Sequence, residues 1–293
     1  MKVSNRPNAL SAIIMILTAA LAALFFEPLT RAIRIEEPEE AQLRQARESF
    51  GHALTAPVSK EWHDQIQDQG FEVTRADTPL HALRFDEDAQ DCAGRGAYML
   101  GISQSSAPML VSAPHRSTDR HTGTLALQLF SEGTLAAAAW NSAPRRANDA
   151  CANATDLARS PLNHFSQFTL AFAQVYPAGL VVQLHGFDRE TRQSQAGADA
   201  DVILSNGTDS ASGSLLDIAD CLSATLHPRR VLVYPNDVSE LGALSNAQGQ
   251  ALRESGFDGF VHVEMSLALR EALIADHDAR SNLVKCLAQG VGR

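Results

Sequence analysis

The stretch A-P-M-L-V-S-A-P-H-R-S-T-D-R-H-T-G, residues 107–123, decides how this chain is read. Its short apolar run M-L-V, residues 109–111, breaks at Ala113-Pro114, and His115, Asp119 and His121 follow at once. A run of that length with a breaker behind it reads as a buried strand, and open α/β sheets bind ligands at the carboxyl ends of their strands. Two later runs have the same form. Residues 180–187, L-V-V-Q-L-H-G-F, close on a histidine, and residues 260–264, F-V-H-V-E, close on a glutamate.

Outward from these runs, apolar residues recur alternately at strand and helix spacing. Residues 98–102 and 135–140 are further strands, the second running directly into Asn141. Residues 122–132 have helical spacing with Gly133 as a stop, and Pro161 opens a helix that Pro177-Ala178-Gly179 ends near Tyr176. Then come a strand at 202–204, a helix at 212–226, a strand at 230–234, a helix at 246–254 and a long final helix from Leu267. The alternation predicts βαβ units: an α/β fold of three layers, α/β/α, around a mostly parallel mixed sheet covered on both faces. We expect one catalytic domain over residues 61–293.

Before that domain lie two segments of different character. Lys2 and Arg6 precede residues 9–26, A-L-S-A-I-I-M-I-L-T-A-A-L-A-A-L-F-F, an uncharged apolar run expected to form an N-terminal hydrophobic helix. A basic flank and an apolar stretch make residues 1–34 a signal peptide or a membrane anchor, with Ala20-Leu21-Ala22 a candidate cleavage site. Either places the protein outside the cytoplasm, in the periplasm, soluble after cleavage or held on the inner membrane. Residues 35–60 begin I-E-E-P-E-E and read as a solvated linker or helix.

Composition narrows the function classes. A formal net charge of −10 argues against nonspecific nucleic-acid binding, which needs surplus Lys and Arg. Aromatic content of 6% leaves little for a stacking platform. There is no G-x-S-x-G elbow, no G-x-G-x-x-G and no phosphate loop, so a serine nucleophile and nucleotide cofactors have no support. Cys92, Cys151, Cys221 and Cys286 contain no C-x-x-C pair, and in an exported chain they suggest up to two disulfides, the other reading being four buried thiols. Three pairings exist in principle; Cys92–Cys151 with Cys221–Cys286 keeps each within one half of the chain.

What remains is metal chemistry. His115 and Asp119 stand four residues apart, so imidazole and carboxylate can face one point, and both are zinc ligands. His185, at the end of another strand, completes a three-ligand set that leaves a fourth position for water; His121 competes with it. Glu264 ends an apolar strand, where partial desolvation raises a carboxyl pKa and suits it to shuttle a proton; its other reading is a glutamate stabilised by the next helix's dipole. Arg145, Arg146, Arg159 and Arg270 are candidate carboxylate clamps. Asn246 and Gln248 could face the same site, although Asn246 also reads as a helix cap.

The ordered motifs P-H-R-S-T-D-R-H-T-G, Q-L-H-G-F and H-V-E-M-S-L-A-L-R resemble the N-formylglutamate amidohydrolase-like group, related in fold to zinc carboxypeptidases, over residues 108–274. The resemblance implies a phosphorylase/hydrolase-like α/β/α fold, Zn2+ on His115 and His185, Glu264 as catalytic glutamate, and Asn141 with Arg145 holding a substrate carboxylate. One departure stands out: carboxypeptidases carry H-x-x-E, whereas this chain has H-x-x-x-D. The expected function is an exported zinc-dependent amidohydrolase or carboxypeptidase-like hydrolase acting on a small molecule or peptide. The alternative is an envelope binding protein that keeps the fold without catalysis. Oligomeric state is left open.

Overall fold

The computed structural model describes residues 38–76, 81–87, 92–103, 107–116, 118–133, 135–146 and 155–292. The apolar run at 9–26 and Cys151, hence the Cys92–Cys151 pairing, lie outside them. Among the described residues no helix is long and apolar enough to cross a membrane.

The helices and strands in chain order are α1 (Glu40–Thr55), α2 (His63–Asp68), β1 (Phe71–Ala76), β2 (Ala82–Glu87), β3 (Ala97–Gly101), β4 (Ala107–Ala113), α3 (Thr122–Gly133), β5 (Leu135–Trp140), α4 (His164–Val175) and β6 (Leu180–Phe187). They continue with α5 (Gln195–Asp199), β7 (Val202–Ser205), α6 (Gly213–Thr225), β8 (Val231–Val233), α7 (Ala247–Glu254), β9 (Phe260–Ser266), α8 (Leu267–Ala275) and α9 (His277–Leu287). All nine strands join one sheet in the order β1-β2-β3-β5-β4-β6-β9-β7-β8. The block β5-β4-β6-β9 is parallel throughout.

Beyond that block the sheet departs from expectation. β1, β2 and β3 pair antiparallel with one another, β3 pairs antiparallel with β5, and β7 pairs antiparallel with β9. The sheet is mixed, as expected, but its parallel pairing is confined to the central block and to β7–β8. The connections from Ala76 to Ala82 and from Glu87 to Ala97 are too short for the crossover a parallel pair needs, so those strands fold back on themselves.

Period-two alternation splits each central strand between two cores. In β4, Met109, Val111 and Ala113 enter one core and Leu110 the other. The first core is roofed by α3, α6, α8 and α9 through residues such as Leu129, Ile218, Leu269 and Leu283. The second lies under α1, α2, α4 and α7, with Phe50, Ile66, Phe168 and Leu252 packed on Tyr98 and Val181. Each fully buried Leu or Phe contributes about 1.5–3 kcal/mol, and the two cores make the three layers. β5, L-A-A-A-A-W, is buried at every position, and its alanines admit helices close on both faces.

Two segments read differently in the fold than in the sequence. The charged stretch expected to be solvated is helix α1, which buries Leu43, Ala46, Phe50, Ala53 and Leu54 and is opened by a capping box between Glu39 and Gln42. The long final helix is two helices, α8 and α9. Asp276 breaks it in extended backbone and accepts the N–H groups of Asp278 and Ala279 at 2.9 and 3.0 Å. A disulfide, Cys221–Cys286, joins α6 to α9.

The alternation also prepares a site. Val182 and Leu184 of β6 and Val261, Val263 and Met265 of β9 face the first core. The intervening Gln183 and His185, and His262 and Glu264, therefore share the opposite face. Pairing sets Gln183 beside His262 and His185 beside Glu264.

Candidate active site

Because β4, β6 and β9 are neighbours, their carboxyl ends bring the three sequence motifs together. Past Pro114 the backbone closes a helical turn: the Asp119 N–H donates to the His115 carbonyl at 2.8 Å, and Thr122 caps Asp119 O through both N–H and hydroxyl. One turn places residues i and i+4 on the same side, so H-x-x-x-D returns the carboxylate to the imidazole. Asn141 steadies the turn, accepting the Arg116 N–H at 2.8 Å and donating to Ala143 O at 2.6 Å.

The two histidines meet at one oxygen. Asp119 Oδ2 lies 3.6 Å from His115 Nδ1 and 3.4 Å from His185 Nδ1, and it also accepts the Gly186 N–H at 3.2 Å. Ligand atoms about 2.0–2.1 Å from a tetrahedral zinc stand about 3.3–3.4 Å apart, so the spacing fits that ion. The outer ring nitrogens are occupied as well. His115 Nε2 is 2.8 Å from Asp156 Oδ1, and His185 Nε2 is 2.9 Å from Gln183 Oε1, which also accepts from Asn246 Nδ2. Holding Nε2 in this way leaves Nδ1 as the metal-facing lone pair and fixes the ring.

Charge follows this arrangement. Burial would raise the Asp119 carboxyl, but contacts with His115 and His185 hold it well below the carboxylate range. Burial would lower His115, yet Asp119 and Asp156 raise it overall. In His185 burial wins and the pKa falls, as it does more strongly in His262. Glu264 is pushed up to about 8, first by burial and then by the Asp119 charge. Its Oε2 has no hydrogen-bond partner, and neither does His262 Nδ1; His262 Nε2 is 3.8 Å from Glu264 Oε1.

Glu264 and Asp119 open onto a cavity of about 570 Å³ whose other walls include Arg145, Arg146, Arg192 and Phe187. Arg145 Nε donates to Asp156 Oδ2 at 2.8 Å, which ties the arginine to the carboxylate behind His115. Arg159 is exposed, 3.9 Å from the same oxygen. Arg270 is buried; a Cβ on Gly186 would strike its guanidinium, and Nη1 donates to Arg120 O. The structure does not bring His121 into the group: its Nε2 is 3.2 Å from Arg120 Nε. Asn246 caps α7 by accepting the Gly249 N–H at 2.9 Å and stands behind Gln183 rather than on the cavity. Gln248 lies deeper, paired with Gln183 at 3.1 Å and with Ser166 and Leu157.

Sequence reasoning passed over Asp156, Gln183 and His262. Gln183 and His262 carried a signal, since in Q-L-H and H-V-E the residue two before a candidate shares its face in a strand. The sequence before Asp156 has no strand or helix periodicity, and nothing in it ties Asp156 to His115.

No family model matches the chain, and no curated protein is similar to it in sequence. Among solved structures, a Shewanella denitrificans protein assigned as a carboxypeptidase A is 14% identical with a TM-score of 0.40, covering 82% of this chain and 72% of its own. A metallo-carboxypeptidase from Burkholderia cenocepacia is 12% identical with a TM-score of 0.39, covering 80% and 68%. An Agrobacterium tumefaciens gene product is 14% identical with a TM-score of 0.38, covering 68% and 90%. Likeness this distant carries no argument about chemistry, which rests on the geometry above.

Proposed function

We propose that the protein is an exported, zinc-dependent hydrolase that cleaves an amide bond in an N-acyl amino acid or peptide, next to a carboxylate. One observation carries the reading. Two histidines, one in the turn after β4 and one on β6, turn Nδ1 toward a single carboxylate oxygen while hydrogen bonds occupy both outer nitrogens.

His115, Asp119 and His185 would hold the ion. Bound zinc supplies Lewis acidity, polarising a carbonyl and lowering the pKa of water. Glu264, beside His185 across the β6–β9 pairing and opening onto the cavity, takes the proton from the attacking water and returns it to the leaving amine. Its raised pKa, about 8, suits both halves of that transfer. Arg145 and Arg146 on the cavity wall give a carboxylate its guanidinium partners, and Phe187 gives an apolar side. Export is in keeping with the Cys221–Cys286 disulfide.

The test is metal content followed by turnover. Purified protein should take up one equivalent of zinc and lose it in His115→Ala/His185→Ala, and it should hydrolyse members of a panel of N-acyl amino acids and short peptides. Wild-type protein that takes up no zinc after reconstitution would overturn the reading. Cell fractionation tests export, with recovery in the cytoplasm as the opposing result.

A further inference from the structure

Beside the proposed zinc position lies a second set of ligand-type side chains. His185, His262 and Glu264 bring one donor atom each to within 4.8 Å of one another, the same closeness as His115, Asp119 and His185. All three are buried, with exposures of 5%, 5% and 8%. Residues 262 and 264 share one face of β9, and His185 faces Glu264 from β6, so two neighbouring strands converge on one point.

Two residues of this set also carry an unpaired polar atom. His262 Nδ1 and Glu264 Oε2 are buried polar atoms without a hydrogen-bond partner. Buried polar groups are nearly always paired, and two orphans side by side in one cluster call for something to meet them. The rings of His185 and His262 lie 4.5 Å apart, tilted 35° from parallel. A histidine pair with a carboxylate is the donor chemistry of zinc and similar divalent metals.

The geometry points to a second metal position, His185–His262–Glu264, that alternates with the first. This inference rests on the reading of His115, Asp119 and His185 as the zinc site. His185 belongs to both sets, and its Nε2 is held by Gln183, which leaves Nδ1, the nitrogen that faces Asp119, as its one metal-facing atom. One ion can therefore sit in either position, but two cannot both use His185. An ion in the second position takes Glu264 as a ligand and removes it from proton transfer. The site thus contains a productive and an unproductive address for the same metal, and Gln183 and His185 stand at the branch.

Titration of metal-free protein with Zn2+ tests this, using calorimetry for stoichiometry and circular dichroism to verify folding. Wild type should bind one equivalent. His115→Ala should still bind one equivalent, more weakly than wild type, because the ion moves to the second set. His115→Ala/His262→Ala should bind none, and His185→Ala alone should bind none. The conservative pair His115→Gln and His115→Gln/His262→Asn repeats the comparison if alanine variants fail to fold. Complete loss of zinc in a folded His115→Ala overturns the second position, as does unchanged affinity on adding His262→Ala. Both results leave the zinc site itself intact, whereas wild type that binds no zinc overturns the functional reading instead.

Discussion

Asp156 Oδ1 lies 2.8 Å from His115 Nε2, on the edge of the ring opposite the nitrogen that faces Asp119. A carboxylate in that place makes the imidazole a better donor and stops it rotating. Asp156→Asn should weaken zinc binding about 10–100-fold while leaving the fold intact, as read by competition with a chelating dye. Zinc affinity within twofold of wild type would remove Asp156 from the site.

Glu264→Gln separates binding from turnover. The variant keeps the first zinc set, so it should hold one equivalent of metal. Hydrolysis should fall about 10²–10⁴-fold, the usual contribution of a positioned base. If activity persisted at the wild-type level, another group would be moving the proton. The binding-protein alternative predicts instead that ligand affinity is unchanged and that neither protein turns over substrate.

Gly186→Ala should destabilise through Arg270. The added Cβ would strike the buried guanidinium and push it off Arg120 O, an overpacking cost of about 1–3 kcal/mol. Urea unfolding should show that cost, and Arg270→Ala in the same chain should make the glycine substitution much cheaper. Equal cost in both backgrounds would mean that the collision is relieved elsewhere.

His164 makes stability depend on pH. It opens α4, packed edge-on against Phe71, and burial with the nearby Arg95 charge lowers its pKa from 6.5 to about 4. Between those values the unfolded chain binds the proton and the folded chain does not. Stability is therefore full above pH 6.5 and falls on acidification toward pH 4, by about 1.4 kcal/mol per pH unit for this one group. In His164→Gln the slope of stability against pH over that window should be shallower. Parallel slopes in the two proteins would show that His164 does not titrate this way.

The disulfide should matter to stability as well. Cys221 and Cys286 are 65 residues apart, and closing a loop of that size stabilises by about 4 kcal/mol through the unfolded chain. Reduction, or Cys221→Ala/Cys286→Ala, should lower the urea midpoint accordingly. An unchanged midpoint would mean that the reduced chain already holds those residues together.

Much of the architecture was legible because it rests on local pattern. Met109 to Val111 is an apolar run, and Val181 to Leu184 and Val261 to Val263 are mostly apolar, as strands buried in a two-sided sheet are, while Asn246 carries its capping role in its type and place. The edge meander β1–β3 was harder: β1 alternates weakly, with only Phe71 buried, and an edge strand need not be apolar. Helix α1 was one of the two readings of its stretch, but its buried face was missed, because its apolar residues are interleaved with charges although they fall on one stripe.

For the site, the sequence by itself determined which residues stand at strand ends: His115 after β4, His185 on β6 and Glu264 on β9. It did so because a strand's period and its breaker are properties of neighbouring residues. The tertiary structure decided which strands are neighbours, and so that these three ends meet. It also decided that Asp119 turns back onto both histidines, and that Asp156 and Gln183 stand behind their rings. The reach of Asp156 to His115 spans 41 residues, and that of Asp119 to His185 runs from the end of one strand to another. Sheet order and loop packing create such contacts, and no local spacing encodes them.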